Sequence, residues 1–361
     1  MSVRSPDALG QGDRAALPPA EYLLVMARAF GMLFVLAAAL SVVIASALLD
    51  PSWGEGVRLA GRADAEVAAE AAGAVPRYVA PLPSPLTRGA FTPWRVGIQA
   101  GHWRIGDLPD EQYRLRGDTG AQWRSISEAD VNLRIASDVA DMLRRSGVAV
   151  DLLPATVPPG YDADAFVAIH ADDGGGGSAS GWKVSAPWRA SVASRRLSAS
   201  ISLWYGRLSG LAEDRYGVTY NMRGYYGFSW NRFSHAVSPS TPAAIIETGF
   251  LTSADDRRVI VEDPDRAGRA IAWGVLSYLG ERVTMRPRDL VPLSYGPMEV
   301  VADGALLRYL PEANERVAAR LPAGTRVRPV NEQGGWIELI VWGNYRVFGW
   351  MPREDLREVP G

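Results

Sequence analysis

The chain has 361 residues, of which 47% are hydrophobic and 22% are charged. This composition excludes wholesale disorder and leaves room for about two or three domains. The formal net charge of -2 argues against a nucleic-acid binder that relies on a basic face. Cysteine is absent, which excludes disulfide scaffolds, thiol nucleophiles and cysteine-ligated zinc. Imidazole chemistry is limited to His102, His170 and His235.

The first notable segment is an uncharged apolar run, 29–49, between Arg28 and Asp50. At about 1.5 Å per residue, a helix of this length just spans a hydrocarbon core of roughly 30 Å. The basic residues before it predict a cytoplasmic tail at 1–28 and an extracytoplasmic position for the rest of the chain. A signal peptide cleaved near Ala47 is the alternative, and it also exports the remainder.

Residues 93–282 alternate short apolar runs with helical patterns. Such runs are typical of strands buried on both faces of a mainly parallel, twisted sheet, and the alternation predicts an α/β domain with flanking helices. One helix is expected from near Ser125 to Gly147. Another should follow the pair Asp263-Pro264 and end at Gly280. The expected strands are 96–98, 165–169 and 243–246.

Three side chains that can bind ligands, His102, His170 and Glu247, lie at the C-terminal ends of these strands. In open α/β sheets this is the edge where ligands bind. Glu128 is a fourth candidate, at the start of the first predicted helix. Residues 125–128 match a capping box, in which Glu128 would bind the N-cap backbone N–H. Alternatively, the helix N-terminus presents Glu128 to a metal.

Two histidines and one carboxylate are a common catalytic zinc set, with one position left for water. His102, Glu128 and His170 would supply these ligands. Glu247 could then take a proton from water and pass it to a leaving amine. The spacing is not a local metal motif, so the alternative is that each histidine is a hydrogen-bonded polar residue at a strand end.

Several sequence blocks around these positions occur in a characteristic order. They are Ala100-Gly101-His102, Ser127-Glu128 with Asn132-Leu133 and Ile135-Ala136, Ala168-Ile169-His170-Ala171-Asp172, Gly181-Trp182-Lys183-Val184, and Ile245-Ile246-Glu247-Thr248-Gly249-Phe250-Leu251. Together they resemble the zinc-dependent N-acetylmuramoyl-L-alanine amidases of the amidase-3 type, over about residues 94–282.

This resemblance implies a phosphorylase/hydrolase-like α/β sheet. It also implies Zn²⁺ held by His102, Glu128 and His170, with Glu247 as the catalytic acid/base. The implied substrate is peptidoglycan, at the amide between the lactyl group of N-acetylmuramic acid and L-Ala of the stem peptide.

The chain departs from the family pattern in three places. Gln99 stands where the family usually has an acidic residue, and Trp103 stands where it has glycine. The usual Thr-Arg after the first helix is replaced by Leu152-Leu153-Pro154. These changes keep open the alternative of a zinc hydrolase of the same fold that acts on a different amide.

An aromatic-rich stretch runs from Tyr216 to Phe233. It predicts either core and loop packing or a platform that stacks on sugar rings, with Arg223 and Arg232 meeting stem-peptide carboxylates.

Two further polar residues have two interpretations each. His235 could donate a hydrogen bond to a developing oxyanion or make a structural hydrogen bond. Asp172 could belong to a flexible rim loop or orient His170.

The C-terminal part changes character. Linkers are expected at 50–92, rich in Ala, Gly and Pro, and at 283–300. Residues 301–358 contain short strand-like runs separated by glycine turns, which predict a small β-barrel. The pattern resembles a bacterial Src-homology-3-like domain, which implies wall binding. Trp336 and Trp350 are either barrel core or the lining of a peptide groove.

The sequence therefore predicts an extracytoplasmic zinc amidase that acts on peptidoglycan and is anchored in the membrane by its N-terminal helix. It indicates no nucleic-acid partner and identifies no protein activator. A non-catalytic wall-binding scaffold is the remaining alternative.

Overall fold

The computed structural model describes residues 92–175 and 178–360. The predicted tail at 1–28, the predicted membrane anchor at 29–49 and nearly all of the predicted linker at 50–92 lie outside the described residues. Within the described part of the chain, none of the helices has the length and hydropathy that a membrane crossing requires.

The elements of the first described domain alternate along the chain. Its helices are α1 (Glu128–Arg145), α2 (Val192–Leu208), α3 (Tyr220–Arg223), α4 (Ala254–Ile260) and α5 (Pro264–Arg282). Its strands are β1 (Arg95–Ala100), β2 (Gln122–Trp123), β3 (Ile126–Ser127), β4 (Ala149–Leu153), β5 (Ala165–Asp172), β6 (Lys183–Ser185) and β7 (Ala243–Phe250).

A mixed sheet forms the centre of this domain, with the strand order β4-β1-β5-β7-β6. Strands β4, β1, β5 and β7 pair in parallel, and β6 is antiparallel to β7 at the edge. The prediction of a mainly parallel sheet with flanking helices is confirmed. The carboxyl ends of β1, β5 and β7 consequently lie side by side.

Alternation along the strands builds two cores, one on each face of the sheet. On β5, Val167 and Ile169 belong to the core that includes residues of α1, α2 and α5. Phe166 and Ala168 instead belong to a core that includes Tyr225 and Phe228 of the aromatic stretch. Part of that stretch is therefore core packing, as one of its two interpretations expected.

Helix α1, the first predicted helix, is amphipathic, and the residues of its buried stripe include Val131, Ile135, Val139 and Met142. Its N-terminus differs from the capping-box interpretation. Ser127, not Ser125, is the N-cap, and its hydroxyl oxygen accepts the backbone N–H of Asp130. Glu128 is thus the first helical residue, so its side chain is not used by the cap.

The C-terminal domain is an antiparallel sheet. Its strands are β8 (Met298–Val300), β9 (Ala305–Arg308), β10 (Val317–Leu321), β11 (Arg326–Gln333), β12 (Trp336–Val341), β13 (Asn344–Pro352) and β14 (Leu356–Glu358). Their order across the sheet is β10-β9-β13-β12-β11-β8-β14. Glycine turns separate several of these strands, as expected, and Gly324, Gly334, Gly335 and Gly343 in these turns have positive φ.

The C-terminal sheet begins earlier in the chain than predicted, and its two tryptophans differ in burial. Strand β8 lies within the predicted linker 283–300 and pairs with β11 and β14. Trp350 is buried, whereas Trp336 is half-buried and lines a cavity of about 450 Å³.

Helices α2 and α5 pack closely at Gly274, and this contact gives a stability prediction. A Cβ at Gly274 would lie 2.6 Å from the Ile201 Cα, so Gly274→Ala should destabilise the domain by about 1–3 kcal/mol through overpacking. Gly280 on the same helix has open space, so Gly280→Ala should stabilise it by about 0.5–1 kcal/mol. Urea denaturation of both variants measures the difference, and equal effects would contradict the packing argument.

Candidate metal and catalytic site

His102 follows β1 in a turn at the carboxyl edge of the sheet. It has a φ of 60°, a left-handed conformation that costs a non-glycine residue about 1–3 kcal/mol and is most often retained at functional sites. Its Nδ1 lies 2.6 Å from the carbonyl oxygen of Asp118. Since a carbonyl oxygen can only accept, Nδ1 carries the proton and Nε2 keeps its lone pair.

Glu128 lies beneath this histidine and is buried. Its Oε1 is 3.5 Å from His102 Nε2 and 3.0 Å from His170 Nδ1. Oε1 also accepts hydrogen bonds from the Asn132 side chain and the Ala171 backbone, at 3.0 and 3.2 Å. Burial opposes the ionisation of Glu128, but the hydrogen bond to His170 and the electrostatic interactions with His170 and His102 lower its pKa to about 2.

His170 lies on β5 and is also buried. The edge of Tyr225 packs against its ring at a centroid distance of 5.2 Å. Among the described residues, its buried Nε2 has no hydrogen-bond partner. A buried polar atom left unpaired in this way is a costly arrangement that a bound ligand would relieve.

The three side chains form a group that could hold a metal ion, since their ligand atoms all lie within 4.8 Å of one another. Two imidazoles and one carboxylate suit zinc and similar borderline divalent ions. Glycines make room for this group. A Cβ at Gly101 would lie 2.5 Å from His170 Nε2, and one at Gly120 would lie 2.8 Å from His102 Cδ2. The donor set and its surroundings therefore fit a metal.

Glu247 lies on β7 directly opposite His170 in the sheet register. Burial, followed by the negative charges of Glu128 and Asp172, raises its pKa well above the ordinary value, while Lys183 opposes this shift. A carboxyl group whose pKa is raised in this way holds a proton more readily than an ordinary carboxylate, and this is a property that general acids share. Glu247 is therefore a candidate acid/base beside the group that could hold a metal.

Asp172 pairs with Lys183, whose Nζ lies 2.5 Å from Asp172 Oδ2 and 3.4 Å from Asp214 Oδ2. Lys183 is also directly opposite Glu247 in the register of β6 and β7. The structure thus brings Asp172 to this lysine at the same edge of the sheet. The ammonium group partly balances the carboxylates around Glu247.

The remaining predicted residues lie around the site or beyond it. His235 Nδ1 is 2.8 Å from Glu111 Oε1, and backbone hydrogen bonds from His235 and Ser234 lower the pKa of Glu111 to about 2. Arg232 lines the cavity above the metal-binding group. Arg223 instead forms an ion pair with Glu338 of the C-terminal domain at 2.6 Å.

The cavity has a volume of about 740 Å³ and contains His102, His170 and Glu247 in its lining. Its other walls come from two chain segments, 105–118 and 219–233. This volume lies in the range of pockets that bind drug-sized ligands. The cavity is therefore large enough to hold part of an extended substrate.

Three supporting residues were not assigned a role from the sequence. Asn132 donates hydrogen bonds to Glu128 Oε1 and to the Gly101 carbonyl oxygen at 3.1 Å; its position four residues after Glu128 on one helix face was the available signal. Tyr225 donates its hydroxyl to Gln99 Oε1 at 2.9 Å. Gly120 gave no local signal, because its role depends on tertiary contacts.

The fold and the site together define an α/β protein with a His/Glu group that could hold a metal ion at the carboxyl edge of its sheet. The Amidase_3 family, described as N-acetylmuramoyl-L-alanine amidase, matches residues 96–277, half of the 361-residue chain. The chain belongs to this family.

Solved structures similar to this chain include N-acetylmuramoyl-L-alanine amidases from three bacteria. The Clostridium difficile 630 enzyme is 20% identical over 52% of this chain and 97% of its own, with a TM-score of 0.37. The Nostoc punctiforme enzyme is 21% identical over 52% and 97%, with a TM-score of 0.37. The Mycobacterium smegmatis enzyme is 17% identical over 52% and 97%, with a TM-score of 0.38. No curated protein matches the chain.

Asn132 provides a test of how the metal-binding group is positioned. Asn132→Ala removes a hydrogen bond to the Glu128 carboxylate, so metal affinity should fall about 10–100-fold. Competition with a chromogenic chelator measures the change. Ser137→Ala, on the same helix, is the matched control because its hydroxyl donates to the Leu133 carbonyl oxygen at 2.7 Å, away from the metal-binding group. Equal affinities in the two variants would show that Asn132 does not position Glu128.

Proposed function

We propose that the chain is a zinc-dependent N-acetylmuramoyl-L-alanine amidase that hydrolyses the lactyl–L-Ala amide of peptidoglycan outside the cytoplasm. The observation that carries this proposal is the convergence of His102, Glu128 and His170, with ligand atoms within 4.8 Å of one another, beside Glu247 in a chain of the Amidase_3 family.

The proposed ligands of zinc are His102, Glu128 and His170. When bound, zinc supplies Lewis acidity and lowers the pKa of water toward neutrality. The chain's own contribution is orientation. The Asp118 carbonyl oxygen fixes the tautomer of His102, and Asn132 holds the Glu128 carboxylate. Such hydrogen bonds keep ligands in a productive geometry.

Glu247 is the proposed acid/base. It accepts a proton from the attacking water as the water oxygen bonds to the lactyl carbonyl carbon. It then delivers this proton to the amide nitrogen as the C–N bond breaks, releasing a lactyl carboxylic acid, which ionises in solution, and the amine of L-Ala. Its raised pKa and its position opposite His170 support this role.

Two of the three departures from the family pattern, Gln99 and Trp103, leave the lining of the catalytic cavity unchanged. Gln99 is fully buried, and its Nε2 donates to the Ala155 carbonyl oxygen at 2.8 Å. Trp103 packs against the helix-side core. Neither residue belongs to the described lining of the catalytic cavity. These substitutions are therefore accommodated by packing and hydrogen bonds, away from the space available to substrate.

The proposal also assigns roles to the C-terminal sheet and to residues 29–49. The C-terminal sheet is proposed to be an Src-homology-3-like domain that binds the cell wall. Residues 29–49 are proposed to anchor the chain in the membrane. In the alternative, cleavage near Ala47 releases the protein from the membrane, and the catalytic domain is extracytoplasmic in both cases.

The role of Glu247 is tested with Glu247→Gln in the full chain. Loss of the acid/base should reduce hydrolysis of purified peptidoglycan by about 10²–10⁴-fold, while bound zinc stays at one ion per chain. Muropeptide mass spectrometry detects intact stem peptides with a free L-Ala amine, and elemental analysis measures zinc. His102→Ala and His170→Ala are the controls that should lose the metal.

Three results would contradict the proposal. The first is cleavage at the wild-type rate by Glu247→Gln. The second is wild-type protein that hydrolyses peptidoglycan without bound metal. The third is cleavage at an amide other than the lactyl–L-Ala bond, which would support the alternative of a zinc hydrolase with a different substrate.

Lys183 gives a pH-dependent prediction. Its positive charge lowers the pKa of Glu247, so Lys183→Met should raise that pKa further. Because the base must be deprotonated to act, the acidic limb of the kcat/KM profile should then move to higher pH. Lys183→Arg keeps the charge and is the matched control. An acidic limb that stays in place in Lys183→Met while the rate falls would indicate a purely structural role.

A further inference from the structure

A second cavity, of about 630 Å³, lies between the catalytic domain and the C-terminal sheet. We call it the interdomain groove. Its lining includes Trp188, Arg189, Trp230 and Arg232 of the catalytic domain and Arg328 and Ile340 of the C-terminal sheet. Residues of both domains are therefore needed to build it.

The charge of this groove differs sharply from that of the whole chain, which is -2. No Asp or Glu is among the described residues that line the groove. Within the described residues, Arg189, Arg232 and Arg328 make no ion pair; their guanidinium groups instead lie over the rings of Trp230, Phe233 and Trp342. Unpaired guanidinium groups beside aromatic rings are suited to binding carboxylates.

The two domains are held together where the groove is formed. Arg223 and Glu338 form an ion pair at 2.6 Å, and only 4% of the Glu338 side chain is exposed. The Arg223 guanidinium lies 4.8 Å from the Trp188 ring centroid, and the Trp188 ring packs edge-on against Phe348. These contacts fix the two walls relative to each other, so little ordering is required on binding.

The interdomain groove adjoins the catalytic cavity. Asn221, Gly224 and Arg232 line both spaces. A polymer held across His102 and Glu247 would therefore pass next to the groove. This adjacency favours a part of the substrate itself as the occupant.

We propose that the interdomain groove binds the carboxylate-bearing stem peptide of peptidoglycan and aligns the polymer with the catalytic cavity. This inference rests on the proposed amidase function for the identity of the polymer. It assigns substrate binding to Arg328, which lies on β11, outside the residues that the amidase family matches. The C-terminal domain then forms part of the substrate site as well as a separate module.

The experiment compares Arg328→Gln with Arg320→Gln in the full chain. Arg320 is an exposed arginine on the same sheet that does not line the groove, so both variants lose one positive charge. Binding of a fluorescent disaccharide–tetrapeptide is measured by anisotropy in a Glu247→Gln background, so that no probe is cleaved. Arg328→Gln should raise the Kd about tenfold, as expected for loss of one charge-assisted hydrogen bond. Arg320→Gln should change it by less than about twofold.

Two further arms separate the possible ligands. The same probe with its carboxylates amidated should bind the arginine-intact protein about as weakly as the acidic probe binds Arg328→Gln. Inorganic polyphosphate should compete only weakly with the acidic probe. Arg189→Gln, on the opposite wall, should reproduce the loss and replaces Arg328→Gln if that variant does not fold.

Equal affinities of Arg328→Gln and Arg320→Gln would overturn the proposal, as would undiminished binding of the amidated probe. Preferred binding of polyphosphate would also overturn it and indicate a phosphate-containing polymer. Because cleavage is not measured in this assay, these outcomes are distinguishable from failure of the amidase proposal, which is judged by hydrolysis alone.

Discussion

The site depends on the burial of one carboxylate. Removing Glu128 from water is costly unless its negative charge is met by hydrogen bonds or by a cation. The chain supplies backbone and side-chain donors from three directions, and two imidazoles face the same oxygen. This arrangement requires β1, β5 and α1 to meet at one edge of the sheet. The parallel pairing of the strands brings them there.

The same arrangement includes local features that do not favour folding by themselves. His102 adopts a left-handed conformation, Gly101 and Gly120 leave space where a Cβ would collide, and His170 Nε2 is buried without a partner among the described residues. In isolation, the strained backbone and the unpaired nitrogen raise the free energy of the folded state, and the glycines only leave space. Together they define a space that matches a metal ligand set. Binding energy from the ligand can offset such costs because it acts on the folded state alone.

Much of this site followed from the sequence because strand ends are local signals. A short apolar run followed by histidine or glutamate is sufficient to place His170 and Glu247 at the carboxyl edge. The N-terminus of α1 is harder to predict from the sequence, because Ser125-x-x-Glu128 and Ser127-x-x-Asp130 both satisfy a capping pattern. Tertiary contacts of Glu128 with the histidines decide between them. The partners of Tyr225 and Arg223 are distant along the chain and depend on loops whose paths no local pattern specifies.

The ion pair between Arg223 and Glu338 constrains the orientation of the C-terminal sheet against the catalytic domain. Burying two charges contributes little net stability, because the loss of hydration offsets most of their attraction. Removing one partner, however, leaves the other charge buried and uncompensated. The pair therefore selects one orientation of the C-terminal sheet against the catalytic domain more strongly than it stabilises either domain. A module that only tethered the enzyme to its polymer would not need a fixed orientation. The proposed role as one wall of a substrate groove does need it, because an arginine on β11 would align the polymer only if its position relative to Glu247 were constant.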